Sequence, residues 1–323
     1  MVYPEIKRIA CVGVGVIGAS WAVNFSMKGF DVNMYHAKPD RLEVGMGKVD
    51  NIFNVLISAD VISEDEAAEA KKHIYKYTSL EDAVSNVQLI VESLPERYDI
   101  KEETLQRIDK VRGEDVIYAT STSGLLISEI AKYSKYPQRC VCAHPYNPPH
   151  LIPLVELVGP EGSDEAIEHL KKFFVSVGKE PVIVKKEVPG FIANRLQTAL
   201  AREVIDLVMN GVCTVEDADK ALTFGPGIRW AVMGQNLLYQ LGGGDGGVKG
   251  LYSKIGGTDP NRKTWLDDMA KWTKYPVDWP DIAQKGVDEE MADRPPELGN
   301  TNASLAAYRD KMLIGILKLH NKL

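Results

Sequence analysis

The sequence predicts an α/β protein: a doubly wound parallel sheet over residues 1–187, followed by an all-α domain over residues 188–323. Three observations carry that expectation. Short β-rich runs alternate with amphipathic stretches as far as Lys186; from Pro189 onward the pattern is helical alone; and glycines at 13, 15 and 18 sit where the first strand hands over to the first helix. With 323 residues, 45% of them hydrophobic, the chain is long enough to bury two cores.

The first strand is read in "RIACVGV", the first helix in "GASWAVNFSMKG" and the second strand in "DVNMYH". A long insertion follows, expected to form a helical pair whose second member covers Glu64 to Lys76. Then "LIVESL", "VIYATS" and "RCVCAHP" read as strands, with "KEETLQRIDKV" and "ISEIAKY" as helices between them. A last unit, "DEAIEHLKKFFVSVG" followed by "EPVIVKK", closes the sheet near Lys186. In "PGFIANRLQTALAREVIDLVMNG", Ile192, Leu196, Leu200 and Leu207 share one helical face, and Asn210-Gly211 supplies a stop. The final "AAYRDKMLIGILKLHNKL" has an apolar face through Met312, Leu313, Ile316 and Leu317, to be buried on its own domain or on another subunit. The run "GGGDGG" at 242–247 reads as a connection serving a closing loop or a sharp reversal, and the tryptophan-rich stretch 264–280 matches nothing assignable.

The net charge of −7 argues against a phosphate-backbone partner, so no nucleic acid is expected. No apolar run approaches the roughly 18 to 20 residues that span a bilayer. Gly13 and Gly15 interrupt the first hydrophobic stretch, so no signal peptide is read, and a cytoplasmic protein without membrane attachment is the expectation. Four cysteines, at 11, 140, 142 and 213, make no disulfide framework.

G-x-G-x-x-G after a strand and before a helix is the context in which this motif binds a dinucleotide, as in a Rossmann-type domain. Gly13 allows the tight turn, Gly15 lets a pyrophosphate approach the backbone, and Gly18 lets helix and strand pack closely. The amides of Val16, Ile17 and Gly18, at the positive end of the helix, would meet the phosphates. About twenty residues on, where an NAD-selecting domain carries an acid for the ribose 2′-hydroxyl, this chain has His36. With Lys38 and Arg41 nearby, and Asp40 four residues late, the cofactor is expected to be NAD, with NADP not excluded.

"AHPYNPPHLIPLVELV" brings a second kind of chemistry. His144 and Glu156 are twelve residues apart, roughly 40 Å if extended, so they meet only if the chain turns back. The Asn147-Pro148-Pro149 cluster makes such a reversal, which puts Glu156 on the strand beside His144. A carboxylate on one ring nitrogen fixes the tautomer and raises basicity, as a general base requires; a structural strand-end histidine is the alternative. Cys140, Cys142 and His144 share a strand face, but at a spacing of nearly ~7 Å they do not converge on one ion, and no metal is expected.

Taken together, "GVGVIG", "VESLPERYDIKEE", "ATSTSGL", "HPYNPPHLIPLVE", "KKEVPGFIANRLQ" and "GPGIRWAVMG", in this order and at this spacing, resemble the 3-hydroxyacyl-CoA dehydrogenase superfamily. Within it the chain is similar to the branch containing L-gulonate 3-dehydrogenase, the lambda-crystallin relatives, and L-carnitine dehydrogenase. The resemblance implies His144 as general base with Glu156 as its partner, and Ser123 and Asn194 as groups that hold the reacting oxygen. It implies that Glu96 and Lys101 line the cofactor and substrate cleft, and that the helical domain forms a homodimer. Ser123 has a second reading, as a cap for the helix in "LLISEIA". "NPPHLIPLVE" and "FGPGIRWAVMGQ" look like the branch acting on free carboxylates, in which Arg229 would clamp a small substrate's carboxylate; a packing or surface arginine is the alternative. Trp230, Tyr239 and Tyr146 are candidates for holding a quaternary ammonium. The expectation is an NAD(P)-dependent dehydrogenase of a small 3-hydroxy carboxylate. The alternatives are an acyl-CoA enzyme and a non-catalytic crystallin-like protein, the latter opposed by the intact His144–Glu156 pair.

Overall fold

The computed structural model describes residues 3–255 and 265–323. Eight strands, β1 (Arg8–Val12), β2 (Asp31–Tyr35), β3 (Ile74–Tyr77), β4 (Leu89–Glu92), β5 (Ile117–Thr120), β6 (Cys140–Pro145), β7 (Leu154–Val158) and β8 (Glu180–Ile183), form one sheet in the order β3-β2-β1-β4-β5-β6-β7-β8. All neighbours run parallel except β6 and β7. Between the strands lie α1 (Val16–Met27), α2 (Pro39–Ser58), α3 (Glu64–Lys72), α4 (Leu80–Val84), α5 (Tyr98–Val111), α6 (Ile127–Ala131) and α7 (Asp164–Ser176). The helices that follow are α8 (Ala193–Met209), α9 (Val215–Leu222), α10 (Ile228–Trp230), α11 (Gln235–Gly242), α12 (Gly247–Ile255), α13 (Trp265–Asp268), α14 (Trp279–Asp293) and α15 (Asn302–Leu319).

β1, β4 and β5 are buried along almost their whole length, as strands of a parallel sheet covered on both faces must be. One face carries a core around Trp21, Phe25, Phe53 and Phe174, with the Trp21 and Phe25 rings stacked at 5.1 Å; the other carries Leu105, Ile108, Tyr118 and Ile130. The strand order reverses at β1, which has β2 on one side and β4 on the other, and that is where a doubly wound sheet opens a crevice at its strand ends. The residues that leave β1 and β4, Gly13 and Ser93, therefore sit together there: the Gly13 amide donates to Tyr35 O at 3.1 Å and the Ser93 amide to Val12 O at 2.8 Å.

The chain divides into two units, Met1–Asn194 with Asp310–Leu323, and Arg195–Arg309. The division differs from a cut at 187/188 chiefly in the last residues, which return to the first unit. There Ile314 and Leu317 are buried in the core that holds Trp21, and Leu313 packs against it, while Met312 is exposed. The helix predicted over Glu64 to Lys76 ends at Lys72, because Ile74, Tyr75, Lys76 and Tyr77 pair with Val32–Tyr35 as the sheet's edge strand. Along α8 only Ile205 is buried; Leu196, expected on the packed face, is 68% exposed, since nothing among the described residues covers that face. The segment rich in tryptophan lies partly outside the described residues; within the second unit, Trp272 Nε1 donates to Asp206 Oδ1 at 3.1 Å and the Ala270 amide to Glu203 Oε2 at 3.0 Å, both acceptors on α8. "GGGDGG" forms the reversal between α11 and α12. No helix among the described residues is long and apolar enough to cross a membrane.

Two glycines of α2 predict opposite responses. A Cβ on Gly45 would lie 2.5 Å from Val14 Cβ, inside the glycine turn, whereas a Cβ on Gly47 would meet nothing within 4 Å. Gly45→Ala should lower stability by about 1–3 kcal/mol through overpacking, and Gly47→Ala should raise it by about 0.5–1 kcal/mol through helix propensity. Urea unfolding midpoints of the two variants separate these signs.

Candidate active site

The antiparallel register of β6 and β7 sets His144 directly opposite Glu156. Both side chains are buried, and His144 Nδ1 lies 2.8 Å from Glu156 Oε2. The other carboxylate oxygen accepts from the backbone amides of Ile192 at 2.8 Å and Ala193 at 2.9 Å. Burial pushes the Glu156 carboxyl up, but the His144 ring and the Ala193 and Ile192 amides outweigh it and hold its pKa below the ordinary glutamate value. An ionised acceptor at Nδ1 keeps the proton there, which leaves Nε2 as the ring's accepting nitrogen.

The two amides are aimed at Glu156 by an unusual turn. Gly190 has φ 75° and Phe191, a bulky residue, has φ 48°. Phe191 is buried, and its ring lies 5.5 Å from that of His144. Tyr146 flanks the imidazole edge-on at 6.4 Å. The loop that reverses the chain between β6 and β7 is tied down from behind: Ser20 Oγ is 3.1 Å from His150 Nδ1, and Lys179 Nζ donates to Pro149 O and, at 3.3 Å, to Ile152 O.

The crevice at β1 fits a dinucleotide. Gly13 has φ 109°, and a Cβ there would lie 2.6 Å from Ser93 O; a Cβ on Gly18 would lie 2.0 Å from Gly13 O; Gly15 has open space where a Cβ would point. Gly15 is the N-cap of α1 with no side-chain cap, and the first turn holds no acid, so the amides of Val16, Ile17 and Gly18 offer an uncontested anion site. His36 follows β2, with Nδ1 accepting from the Lys38 amide at 3.0 Å.

Glu96 is held by Ser123, whose amide and Oγ approach its Oε1 at 2.6 and 3.1 Å, and by Thr122 Oγ1 at 2.8 Å from Oε2. Burial raises the Glu96 pKa, but the Ser123 amide, the Thr122 hydroxyl and the Lys101 charge bring it below the ordinary value. Ser123 does not cap α6: Glu187 Oε1 does, accepting from the Ile127 amide at 2.5 Å. Lys101 is buried, with Nζ 2.8 and 2.9 Å from the two oxygens of buried Glu92 and 3.9 Å from Glu96 Oε2. Glu92 also accepts from Tyr118, Thr120 and the Leu94 amide. Asn194 is half-buried beside Ala193, and Arg229 is an exposed residue of α10 in the second unit. Cys140 and Cys142 are buried thiols, the former pushed up to about 12 by burial, and no cluster of three metal-ligating residues occurs among the described residues.

Sequence reasoning missed Glu92, Phe191, Lys179, Glu187 and Gly45. A carboxylate closing the apolar run Leu89-Ile90-Val91, with a lysine nine residues later, was the available signal for the first.

A glycine cradle at the switch point of a doubly wound sheet is the site of a dinucleotide, and the family and relatives that the chain matches make it an NAD-dependent dehydrogenase acting on a hydroxyl. Residues 8–188 match the 3-hydroxyacyl-CoA dehydrogenase NAD binding domain and residues 190–278 the 3-hydroxyacyl-CoA dehydrogenase C-terminal domain, and the chain belongs to the 3-hydroxyacyl-CoA dehydrogenase family. It is 38% identical over 317 residues to an L-carnitine dehydrogenase of Pseudomonas putida, covering 97% of this chain and 94% of that protein. To an L-carnitine dehydrogenase of Streptomyces griseus it is 36% identical over 329 residues, covering 99% and 91%. Among solved structures, 5-formyl-3-hydroxy-2-methylpyridine 4-carboxylic acid 5-dehydrogenase, described as an NAD+ dependent dismutase, superimposes with a TM-score of 0.77 at 27% identity over 98% of each chain. The (S)-3-hydroxybutyryl-CoA dehydrogenase of Ralstonia eutropha gives 0.65 at 27% identity, over 81% of this chain and 92% of that one.

A carboxylate whose pKa is lowered by folding contributes stability above its ordinary value and loses it as pH falls through the folded one. Glu156→Gln should therefore be less stable than the parent at neutral pH, with the gap closing on acidification below the ordinary glutamate range. Urea midpoints recorded from pH 7 to pH 3 test this; a gap that stays constant with pH would refute it.

Proposed function

We propose that this chain oxidises the 3-hydroxyl of a small, carnitine-like 3-hydroxy carboxylate to a ketone, with His144 as general base. The single observation that carries this reading is the buried His144–Glu156 pair with Nε2 left to accept a proton. NAD, when bound, accepts the hydride from the substrate carbon. His144 Nε2 takes the hydroxyl proton as that hydride departs, and ionised Glu156 offsets the charge that grows on the imidazole. Ser123 and Asn194 hold the reacting oxygen, and Glu96 steadies Ser123 from behind. Arg229 is the proposed clamp for the substrate carboxylate, and Trp230, Tyr239 and Tyr146 the candidates for a cationic group. The carnitine-like choice of substrate is supported by the names of the relatives above.

Self-association is part of the proposal. Within Arg195–Arg309, the buried hydrophobic side chains among the described residues are Ile205, Ala218 and Ala270, while Leu196, Phe224, Val232, Leu237 and Leu241 are more than half exposed. A helical unit with so small a core exposes more apolar surface than a monomer tolerates, and a second copy of this chain is the proposed cover. Light scattering coupled to size exclusion should give twice the 35.7 kDa chain mass, and a strict monomer at micromolar concentration would remove this part.

His144→Ala should retain NAD binding by calorimetry and lose turnover by about 10²–10⁴-fold. Absorbance of the reduced nicotinamide, followed with carnitine, gulonate, 3-hydroxybutyrate and 3-hydroxybutyryl-CoA, separates the free-acid reading from the acyl-CoA one. Unchanged turnover in the variant would eliminate His144 as the base.

A further inference from the structure

We propose that His36 makes this chain accept a 2′-phosphate on the cofactor's adenosine ribose, so that NADP binds nearly as well as NAD. The inference rests on reading the first unit as a dinucleotide-binding domain, and it concerns the residue that follows β2.

Tyr35, the last residue of β2, accepts the Gly13 amide at 3.1 Å, which sets its successor beside the glycine turn. The His36 amide donates to Tyr77 O at 3.2 Å, so its backbone is fixed to the neighbouring strand end as well. In a domain that selects NAD, an aspartate or glutamate at this position accepts from the ribose hydroxyl and repels a phosphate there. His36 does neither. Its Nδ1 accepts from the Lys38 amide at 3.0 Å, so the ring proton of the neutral imidazole is on Nε2. The ring's other nitrogen is then a hydrogen-bond donor, which suits a phosphate oxygen and gives no charge repulsion.

The surrounding charges agree with that assignment. Lys38 and Arg41 are exposed within five residues of His36. The acid nearest in sequence, Asp40, lies in the first turn of α2, where the helix's own N-terminal dipole accounts for a carboxylate. Glu43, one turn further on, is paired with Lys76 at 2.7 Å. At the position that follows β2 this chain has an imidazole in place of the carboxylate that normally excludes a 2′-phosphate.

Calorimetric titration of the full chain with NAD and with NADP, in the absence of substrate, tests the proposal. The two dissociation constants should agree within tenfold; a larger preference for NAD overturns it. His36→Asp should shift the ratio toward NAD by a hundredfold or more, and a ratio unmoved by this change would also overturn it. Asp40→Asn should leave the ratio within threefold. If neither nucleotide binds, the dinucleotide reading itself fails, whereas binding of NAD alone removes only the role given to His36.

Discussion

One hydrogen bond, between the His144 ring and the Glu156 carboxylate, is the contact around which the candidate site is built, and it exists because one strand runs the wrong way. Parallel neighbours require a crossover of a dozen or more residues, whereas an antiparallel pair needs only a short link. The reversal of β7 lets residues 146–153 join two strands directly and places residues twelve apart in sequence opposite each other. Cross-strand partners in such a pair face the same side of the sheet within side-chain reach. A buried carboxylate without partners would cost several kcal/mol. Three donors, one imidazole nitrogen and two backbone amides, keep it ionised instead. The ionised state is what holds the imidazole in one tautomer.

That arrangement draws in residues with no chemistry of their own. Phe191 adopts a backbone conformation that a bulky side chain rarely takes. Both consequences of the turn serve the pair: its ring packs against His144, and the amides that follow reach Glu156. On the cofactor side, the Glu92–Lys101 ion pair has the same character. Buried ion pairs are poor sources of net stability, since desolvation offsets their attraction. With Tyr118, Thr120 and the Leu94 amide on the same carboxylate, the pair instead pins the chain leaving β4, from which Glu96 reaches Ser123.

What was legible in the sequence was whatever depends on local pattern. The glycine turn is defined by spacing and by its strand and helix neighbours, and the reversal that joins His144 to Glu156 is written in Asn147-Pro148-Pro149. Burial of a charge is a different matter. Lys101 is one of several charged residues on its helix, and only the register of β4 against β5 reveals that Glu92 and Thr120 lie within its reach. Ser123 looked like a cap because it precedes a helix, but the true cap, Glu187, is sixty residues away and no local rule connects them. Leu196 lies on a helical face that periodicity marks as packed, yet periodicity does not say whether the covering surface belongs to the same chain.

Lys179 shows how far the support of the site extends. It is buried above the ring of Trp21, with Nζ 5.6 Å from the ring centroid, and it donates to two carbonyls of the reversal loop. Burial, with Lys28 nearby, brings its pKa down to about 7. Neutral or protonated, the amine carries at least two N–H donors, and two carbonyls accept them, so the loop is tied in either state. A hydrophobic residue of similar size would fill the same volume but leave Pro149 and Ile152 with orphaned carbonyls under the loop that delivers Glu156 to His144. The lysine therefore belongs to the same construction as Phe191 and Glu92: a polar or strained residue retained where the backbone has to be held in one place.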